Sequence, residues 1–167
     1  MSEMPYIKCP RPVLVYALST MGYHFGDSLN QVLFKEKASD HFEMLLHHIA
    51  TVALYFCMIF GNNLGIGCVI AYLHDLADIL GCLTKCMSTT IYGDLTLYTF
   101  VVMMCLWFWT RLYVLPQLIF RIMTDDFDVL VHNFVRLNGC FLLVLQFLHA
   151  YWFYMFILMA INKIKTG

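Results

Sequence analysis

Long apolar runs separated by short polar connectors dominate the pattern along the chain. They lie at about residues 13–34, 42–60, 64–83, 96–123 and 134–161. A helix needs about 20 consecutive apolar residues to cross a bilayer, and an α-helix satisfies all of its backbone hydrogen bonds within the segment. The pattern therefore predicts an all-α, polytopic membrane helix bundle of about five transmembrane helices.

The first and third runs contain more polar residues than the others. The first run is interrupted by His24, Asp27 and Asn30, so it crosses a membrane only if these side chains face protein. The second and third runs are separated only by the breaker at 61–63, which predicts antiparallel helices that pack side by side. Because no linker or repeat divides the chain, we expect one transmembrane domain over residues 1–167.

Composition supports a membrane protein and excludes one class of partner. Hydrophobic residues make up 61% of the chain and charged residues 13%, with a mean hydropathy of +0.72. Soluble domains are about half apolar and about a quarter charged. The net charge of −1 provides no basic stripe, so we expect no nucleic-acid partner. The seven cysteines are odd in number and form no CxxC pair, which predicts free thiols.

The lysines near the end of the chain bear on location. Lys163 and Lys165 lie in the final stretch KIKTG, which is like a retrieval signal of the endoplasmic reticulum. Two lysines at the headgroup level of a helix end explain the pattern equally well. We favour the endoplasmic reticulum membrane, with the mitochondrial inner membrane or another organelle membrane as the alternative.

Ionisable side chains recur in the second and third runs at helical spacing. On the second, Thr51 follows His47 by four residues and His48 by three, so the three share a face. On the third, His74 and Asp78 are four apart, Lys85 lies seven beyond Asp78, and Asp75 points to an adjoining face. Each charge near the bilayer centre costs about 2.5–3.5 kcal/mol on insertion scales, which favours a functional explanation for the set.

Histidine beside carboxylate is a pattern suited to acyl transfer. A carboxylate fixes the tautomer of an imidazole and raises its basicity, so the histidine can accept a proton or attack an activated acyl group. We therefore expect a histidine of the second run to meet a carboxylate of the third in a protected cavity. The alternative is a set of polar groups that only hydrogen-bond helices together, worth about 0.6 kcal/mol per pair on average.

The same residues resemble the ceramide synthase signature of the TLC membrane domain. The matching positions are Asp40, Met44, His47, His48, Thr51, Leu54, Asn62, Gly67, His74, Asp75, Asp78 and Lys85. The similarity continues through WFWTRLYVLPQLI, at 107–119, so the signature region runs over residues 40–119. The resemblance implies a helix bundle around a lipid-lined tunnel and the activity of a sphingosine N-acyltransferase.

Residue roles follow from the resemblance. It implies that His47 is the acyl acceptor or base and Asp78 its partner, and that the other catalytic residues are His48, His74 and Asp75. It implies a supporting or substrate-binding role for Thr51, Asn62, Lys85 and Arg111. Its partners would be membrane lipids, a sphingoid base and acyl-CoA, the last as co-substrate, with no cofactor.

Other site chemistries have weaker support in the sequence. We expect no metal, because membrane hydroxylases and desaturases carry several histidine clusters and only one adjacent pair, His47 and His48, occurs here. Haem would need two facing histidines, such as His47 and His149, which the sequence permits without indicating. Arg111 is expected to snorkel or to pair with an acid of another span, with Asp27 and Asp94 as candidates.

Some positions depart from the family pattern and favour a second function. Met58 and Ile59 stand where the family carries Ser-Tyr, Gly65 replaces an arginine, and Cys82 replaces a glutamate. The chain also begins late relative to ceramide synthases, so we expect at least one of their N-terminal spans to be missing. The alternative is thus a non-catalytic structural or lipid-binding subunit, with other membrane protein subunits as partners.

Overall fold

The computed structural model describes residues 10–34, 40–61, 64–89, 93–124 and 129–166. The helices in chain order are α1 (Arg11–Leu33), α2 (His41–Phe60), α3 (Leu64–Ser88), α4 (Gly93–Trp107), a π-helical segment (Phe108–Val114), α5 (Leu115–Thr124) and α6 (Val129–Thr166). No strand occurs in the described ranges. The predicted all-α class is therefore confirmed.

Membrane-spanning stretches occur throughout most of the chain. Four are long and apolar enough to cross a membrane, namely His41–Phe60, Leu64–Ser88, Leu95–Thr124 and Phe134–Lys165. This confirms a polytopic helical membrane bundle, and the protein is an integral membrane protein. The helix predicted over the first run also forms, as the 23-residue α1. Its polar side chains keep α1 outside the four apolar spans.

Helix α1 packs along α2. Pro10 precedes the helix and Pro12 occupies its first turn, where a missing N–H costs nothing because the first amides of a helix have no partner within it. The buried Gln31 then connects the two helices, because its Nε2 donates a hydrogen bond to the backbone oxygen of His41 at 2.9 Å. A buried polar side chain near the end of α1 thus hydrogen-bonds to the first residue of α2.

A glycine allows α2 and α3 to touch close to the turn that joins them. The space where Gly67 would carry a Cβ is filled by the side chain of Met58. Helix α2 ends at Phe60, and the N–H of Gly61, directly after it, donates to the oxygen of Cys57 at 2.8 Å. The missing side chain at residue 67 therefore permits the close approach of the two helices.

The long span Leu95–Thr124 changes its hydrogen-bond register in the middle. The N–H of Leu115 bonds to the oxygen of Thr110, five residues earlier, at the end of the π-helical segment. Pro116 follows directly and continues into α5. The π-helical turn thus lies next to Pro116, which has no N–H to donate to the helix. Two residues within the π-helical segment, Thr110 and Arg111, are buried.

The described helices group into two compact units. Unit 1 contains the chain up to Val69 together with Ile119–Leu148, and unit 2 contains Ile70–Leu118 together with the chain from His149. Helices α3 and α6 contribute to both units. The single domain expected from the sequence therefore stays a prediction.

The core of unit 2 is built around an aromatic side chain. Trp107 packs with Ala77 and Met103, all three of them buried. The surrounding, partly buried apolar residues are Leu80, Phe100, Met104, Trp152, Phe153 and Phe156. Because Ala77 is small, the indole ring has room against α3.

Candidate functional site

Three histidines of unit 1 lie together, and we call them the histidine cluster: His24 of α1 with His47 and His48 of α2. Their ring centroids are 6.0 Å apart for His24 and His47, 5.4 Å for His24 and His48, and 5.5 Å for His47 and His48. One ring nitrogen from each lies within 4.8 Å of the other two. The cluster therefore combines the adjacent pair predicted from the sequence with a third imidazole from the neighbouring helix.

The polar residues of α1 share one helical face, which explains how His24 reaches this position. His24, Asp27 and Gln31 are spaced three and four residues apart, so they line up over two turns. Gln31 bonds to the start of α2, while His24 and Asp27 both approach His48. Of the three polar residues that interrupt the first run, His24 and Asp27 therefore face α2, whereas Asn30 is exposed.

Asp27 supplies a carboxylate to the histidine cluster. Its Oδ2 lies 2.9 Å from Nε2 of His48, and His48 is only 4% exposed. Nδ1 of His48 in turn lies 3.1 Å from Nδ1 of His24. The two ring nitrogens of His48 thus lie beside different neighbours, Nε2 at ion-pair distance from Asp27 and Nδ1 next to His24.

Two further side chains of α2 support the cluster. Thr51 donates from Oγ1 to the backbone oxygen of His47 at 2.8 Å. The ring of Tyr55 stacks on His24 with centroids 6.5 Å apart. Both contacts lie on the side of α2 that faces α1.

A second polar group, the arginine cluster, occurs in unit 2 and comprises His74, Asp78, Trp107 and Arg111. Nη2 of Arg111 lies 2.5 Å from Oδ1 of Asp78 and donates to the oxygen of His74 at 2.9 Å. The guanidinium carbon sits 3.7 Å from the centroid of the Trp107 ring. Arg111 is 2% exposed, whereas the Asp78 side chain is 57% exposed. An ion pair, a hydrogen bond and a cation–π contact thus hold one buried cation.

Histidine side chains extend this second cluster. Nδ1 of His74 donates to the oxygen of Ile70 at 2.7 Å. The His74 and His149 rings have centroids 4.8 Å apart, and His149 is fully buried. The backbone oxygen of His149 accepts a hydrogen bond from Nε1 of Trp107 at 3.3 Å. His149 therefore contacts both α3, through its side chain, and α4, through its backbone oxygen.

The predicted site residues divide between the two units. His47, His48 and Thr51 lie in unit 1, while the arginine cluster and Asp75 belong to unit 2. Asp75 is partly buried, and Lys85 is exposed in the last turn of α3. Asn62 lies outside the described residues. The predicted pairing of His47 with Asp78 involves one residue from each unit, and it stays a prediction.

The partner of Arg111 differs from the two acids named from the sequence. Arg111 pairs with Asp78, whereas Asp27 pairs with His48. The side chain of Asp94 lies outside the described residues. The helical spacing that aligned Asp78 with His74 and Lys85 did not include the span Leu95–Thr124, so it gave no indication of a cation beside Asp78.

Sequence reasoning did not place His24, Asp27 or Trp107 among the site residues, although each contacts a predicted site residue. The signal for the first two was present as the spacing of polar residues in α1, at 24, 27 and 31. For Trp107, a tryptophan four residues before an arginine in a helix is a cation–π spacing. Both signals lie outside the second and third runs, where the histidines and acids were sought.

Comparison with known proteins gives a consistent family relationship. The TLC domain profile matches residues 2–158. Ceramide synthase 4 of Bos taurus is 30% identical over 139 residues, which cover 80% of this chain and 35% of the relative. Ceramide synthase hyl-2 of Caenorhabditis elegans is 27% identical over 177 aligned residues, covering 98% of this chain and 53% of the relative.

A fungal relative matches a shorter part of the chain. Sphingosine N-acyltransferase lag1 of Schizosaccharomyces pombe is 27% identical over 108 residues, which cover 63% of this chain and 28% of that protein. The chain thus spans between about a quarter and a half of the length of these curated relatives.

Proposed function

Because the chain belongs to the TLC-domain family, we propose that it is a membrane-embedded N-acyltransferase of the ceramide synthase type. Its substrates are a fatty acyl-CoA and the amine of a sphingoid base. The observation that carries the proposal is the His47–His48 pair in a membrane-spanning helix, gathered with His24 and Asp27 into one polar cluster. The relatives named ceramide synthase give the reaction class.

The acyl group passes through His47 in this proposal. A lone pair of its imidazole attacks the thioester carbonyl carbon, the C–S bond breaks, and the CoA thiolate takes up the proton that the imidazole loses. The amine of the sphingoid base then attacks the acyl-imidazole. The bond from carbonyl to imidazole nitrogen breaks, the amide forms, and an amine proton returns to the imidazole. The products are an N-acyl sphingoid base and CoA.

The remaining site residues support these two steps. Thr51 bonds to the backbone carbonyl of His47, and Asp27 places a carboxylate at ion-pair distance from His48. Asp78 is proposed as the carboxylate partner of His47, and its position is set by the ion pair with Arg111. A fixed carboxylate stabilises the positive charge that an imidazole acquires when it attacks an acyl group.

The proposal is tested on the purified full chain in lipid vesicles. We expect N-acyl sphingoid product by mass spectrometry when a long-chain acyl-CoA and a sphingoid base are added. His47→Ala should reduce product to the level without protein, whereas His41→Ala, a histidine on the same helix outside the cluster, should retain activity. Equal product from wild type and His47→Ala would refute the proposal.

The covalent intermediate gives a second and independent measurement. With acyl-CoA but no sphingoid base, the intact protein should gain the mass of one acyl group, and His47→Ala should not. Asp78→Asn should slow formation of the acyl-enzyme without abolishing it, because the nucleophile is still present. An acyl adduct that persists in His47→Ala would assign the nucleophile elsewhere.

A non-catalytic structural or lipid-binding subunit is the second candidate. It is favoured by the side chain of Met58, which stands where the family carries a serine and fills the space beside Gly67 with apolar atoms. If this candidate holds, product is absent with every substrate pair, and gentle detergent extraction yields a particle much larger than the 19.5 kDa chain plus detergent. A monomeric particle that makes product would exclude it.

A further inference from the structure

The histidine cluster has the ligand set and spacing of a transition-metal site. We propose that His24, His47 and His48 bind one divalent cation of the Zn²⁺ class, with Asp27 as the carboxylate that orients His48. The sequence alone offered one adjacent histidine pair and no metal site. The third nitrogen ligand comes from α1, and only the packing of α1 on α2 brings it there.

The distances between nitrogens support three ligands on one ion. A tetrahedral Zn²⁺ with Zn–N bonds of about 2.0–2.1 Å places two bound nitrogens roughly 3.3 Å apart. Nδ1 of His24 and Nδ1 of His48 are already 3.1 Å apart. One ring nitrogen of His47 lies within 4.8 Å of a ring nitrogen of each of the other two histidines, so a side-chain shift of roughly 1.5 Å brings three nitrogens to the spacing of a three-histidine site.

Asp27 provides the outer partner that histidine ligands of metals have in most proteins. A ligating imidazole usually donates its second ring N–H to a carboxylate, which fixes the ring and makes the ligating nitrogen a better donor. Here Oδ2 of Asp27 is 2.9 Å from Nε2 of His48, and the other nitrogen of His48 points to His24. The carboxylate also balances part of the charge that a cation would bring between two largely apolar helices.

The ligand type selects the class of cation. Imidazole nitrogens suit Zn²⁺, Cu²⁺ and Ni²⁺, whereas Mg²⁺ and Ca²⁺ prefer oxygen ligands. Three protein ligands leave a fourth position open for water or another group. An ion held by His47 occupies a lone pair of that imidazole, so His47 cannot bind the ion and carry an acyl group at the same time. This competition between metal binding and acyl transfer rests on the proposed function.

Binding is measured first, without any assay of activity. The purified chain in detergent is titrated with Zn²⁺ against a chromophoric chelator, and we expect one tightly bound equivalent in the wild type and none for Mg²⁺. His24→Ala should remove this equivalent, while His41→Ala on α2 should keep it. Asp27→Asn should weaken the affinity about 10–100-fold. Absence of a stoichiometric equivalent, or equal binding by His24→Ala, would overturn the proposal.

A ligand swap separates loss of a ligand from loss of the fold. His24→Cys supplies a sulfur that also binds Zn²⁺, so it should retain the equivalent that His24→Ala loses. Replacing Zn²⁺ by Co²⁺ should give the intense visible absorption of tetrahedral coordination in the wild type. If His24→Cys binds no better than His24→Ala although both variants elute as monodisperse particles, His24 is not a ligand.

Activity gives a separate readout. One equivalent of Zn²⁺ should inhibit N-acylation, and a chelator should restore it. Tight binding with undiminished activity would remove His47 from the ligand set and overturn the three-histidine site. If no acyltransferase activity exists at all, the proposed function fails, while the titration still decides the metal site.

Discussion

Replacement of Trp107 tests how the buried cation of the arginine cluster is stabilised. In Trp107→Phe, the indole N–H that bonds to the oxygen of His149 at 3.3 Å is lost, which costs about 0.5–1 kcal/mol for a hydrogen bond of this length. The Arg111 guanidinium, 3.7 Å above the ring, then faces a weaker aromatic partner, which costs about 0.5–1 kcal/mol more. We therefore expect Trp107→Phe to lower the free energy of unfolding by about 1–2 kcal/mol.

The complete truncation should cost more, because Trp107 also makes edge contacts. Its ring lies 5.0 Å from Phe156 and 6.3 Å from Trp152, both perpendicular to it. Trp107→Ala removes these contacts and leaves a cavity, so we expect a loss of about 3–5 kcal/mol in the free energy of unfolding. The measurement is reversible unfolding in mixed micelles by titration with sodium dodecyl sulfate, followed by far-UV circular dichroism.

A tryptophan two residues away provides the matched control. Trp109 is 58% exposed and stacks only on Tyr113 among the ring contacts of the described residues, so Trp109→Phe should change the free energy of unfolding by less than about 0.5 kcal/mol. A double-mutant cycle of Trp107→Phe with Arg111→Met should return a coupling of about 0.5–1 kcal/mol. Equal losses for the two Trp→Phe variants, or no coupling, would refute this account of the cation.

Three further predictions use the same unfolding measurement. Gly67→Ala should lower the free energy of unfolding by about 1–3 kcal/mol, because the new Cβ meets the packed side chain of Met58. Gly65→Ala, with open space around it, should raise the free energy of unfolding by up to about 1 kcal/mol. A gain in stability in both variants would show that the helices do not approach closely at residue 67. Leu142 is buried and Leu143 is half-exposed, so Leu142→Ala should lower the free energy of unfolding by about 2–5 kcal/mol and Leu143→Ala by less than about 1 kcal/mol. Similar losses in the two variants would contradict the burial of Leu142 in α6. Arg111→Lys should lower the free energy of unfolding by about 1–3 kcal/mol, because an ammonium cannot reproduce the planar guanidinium that contacts a carboxylate, a carbonyl and a ring face together. An unchanged unfolding midpoint would mean that a positive charge alone is enough to stabilise this position.

The helices were predictable from the sequence because bilayer crossing constrains composition strongly. The second run was expected at 42–60 and forms His41–Phe60, and the third was expected at 64–83 and extends to Ser88. The extension is explained by Thr84 and Lys85, polar residues that end an apolar run without ending a helix. Hydropathy therefore locates a span, but the helix ends where backbone hydrogen bonds end.

The partners within the two clusters were less predictable, because they depend on which helices pack together. Spacing within one helix placed His47, His48 and Thr51 on one face, and the structure has Thr51 bonded to the His47 carbonyl. No spacing rule relates Asp27 to His48, since the two lie on different helices and 21 residues apart. A resemblance based on the second and third helices could not supply partners from α1.

The π-helical segment shows how a local change of register can position a functional group. In a regular α-helix each residue advances by 100°, and a π turn adds one residue per turn, which rotates the side chains that follow relative to those before. Arg111 lies inside this segment, next to Thr110, and both are buried although the neighbouring Trp109 is not. An arginine in an apolar span would otherwise extend towards the headgroups. The wider turn, followed by Pro116, thus coincides with the point at which this cation turns inward to Asp78.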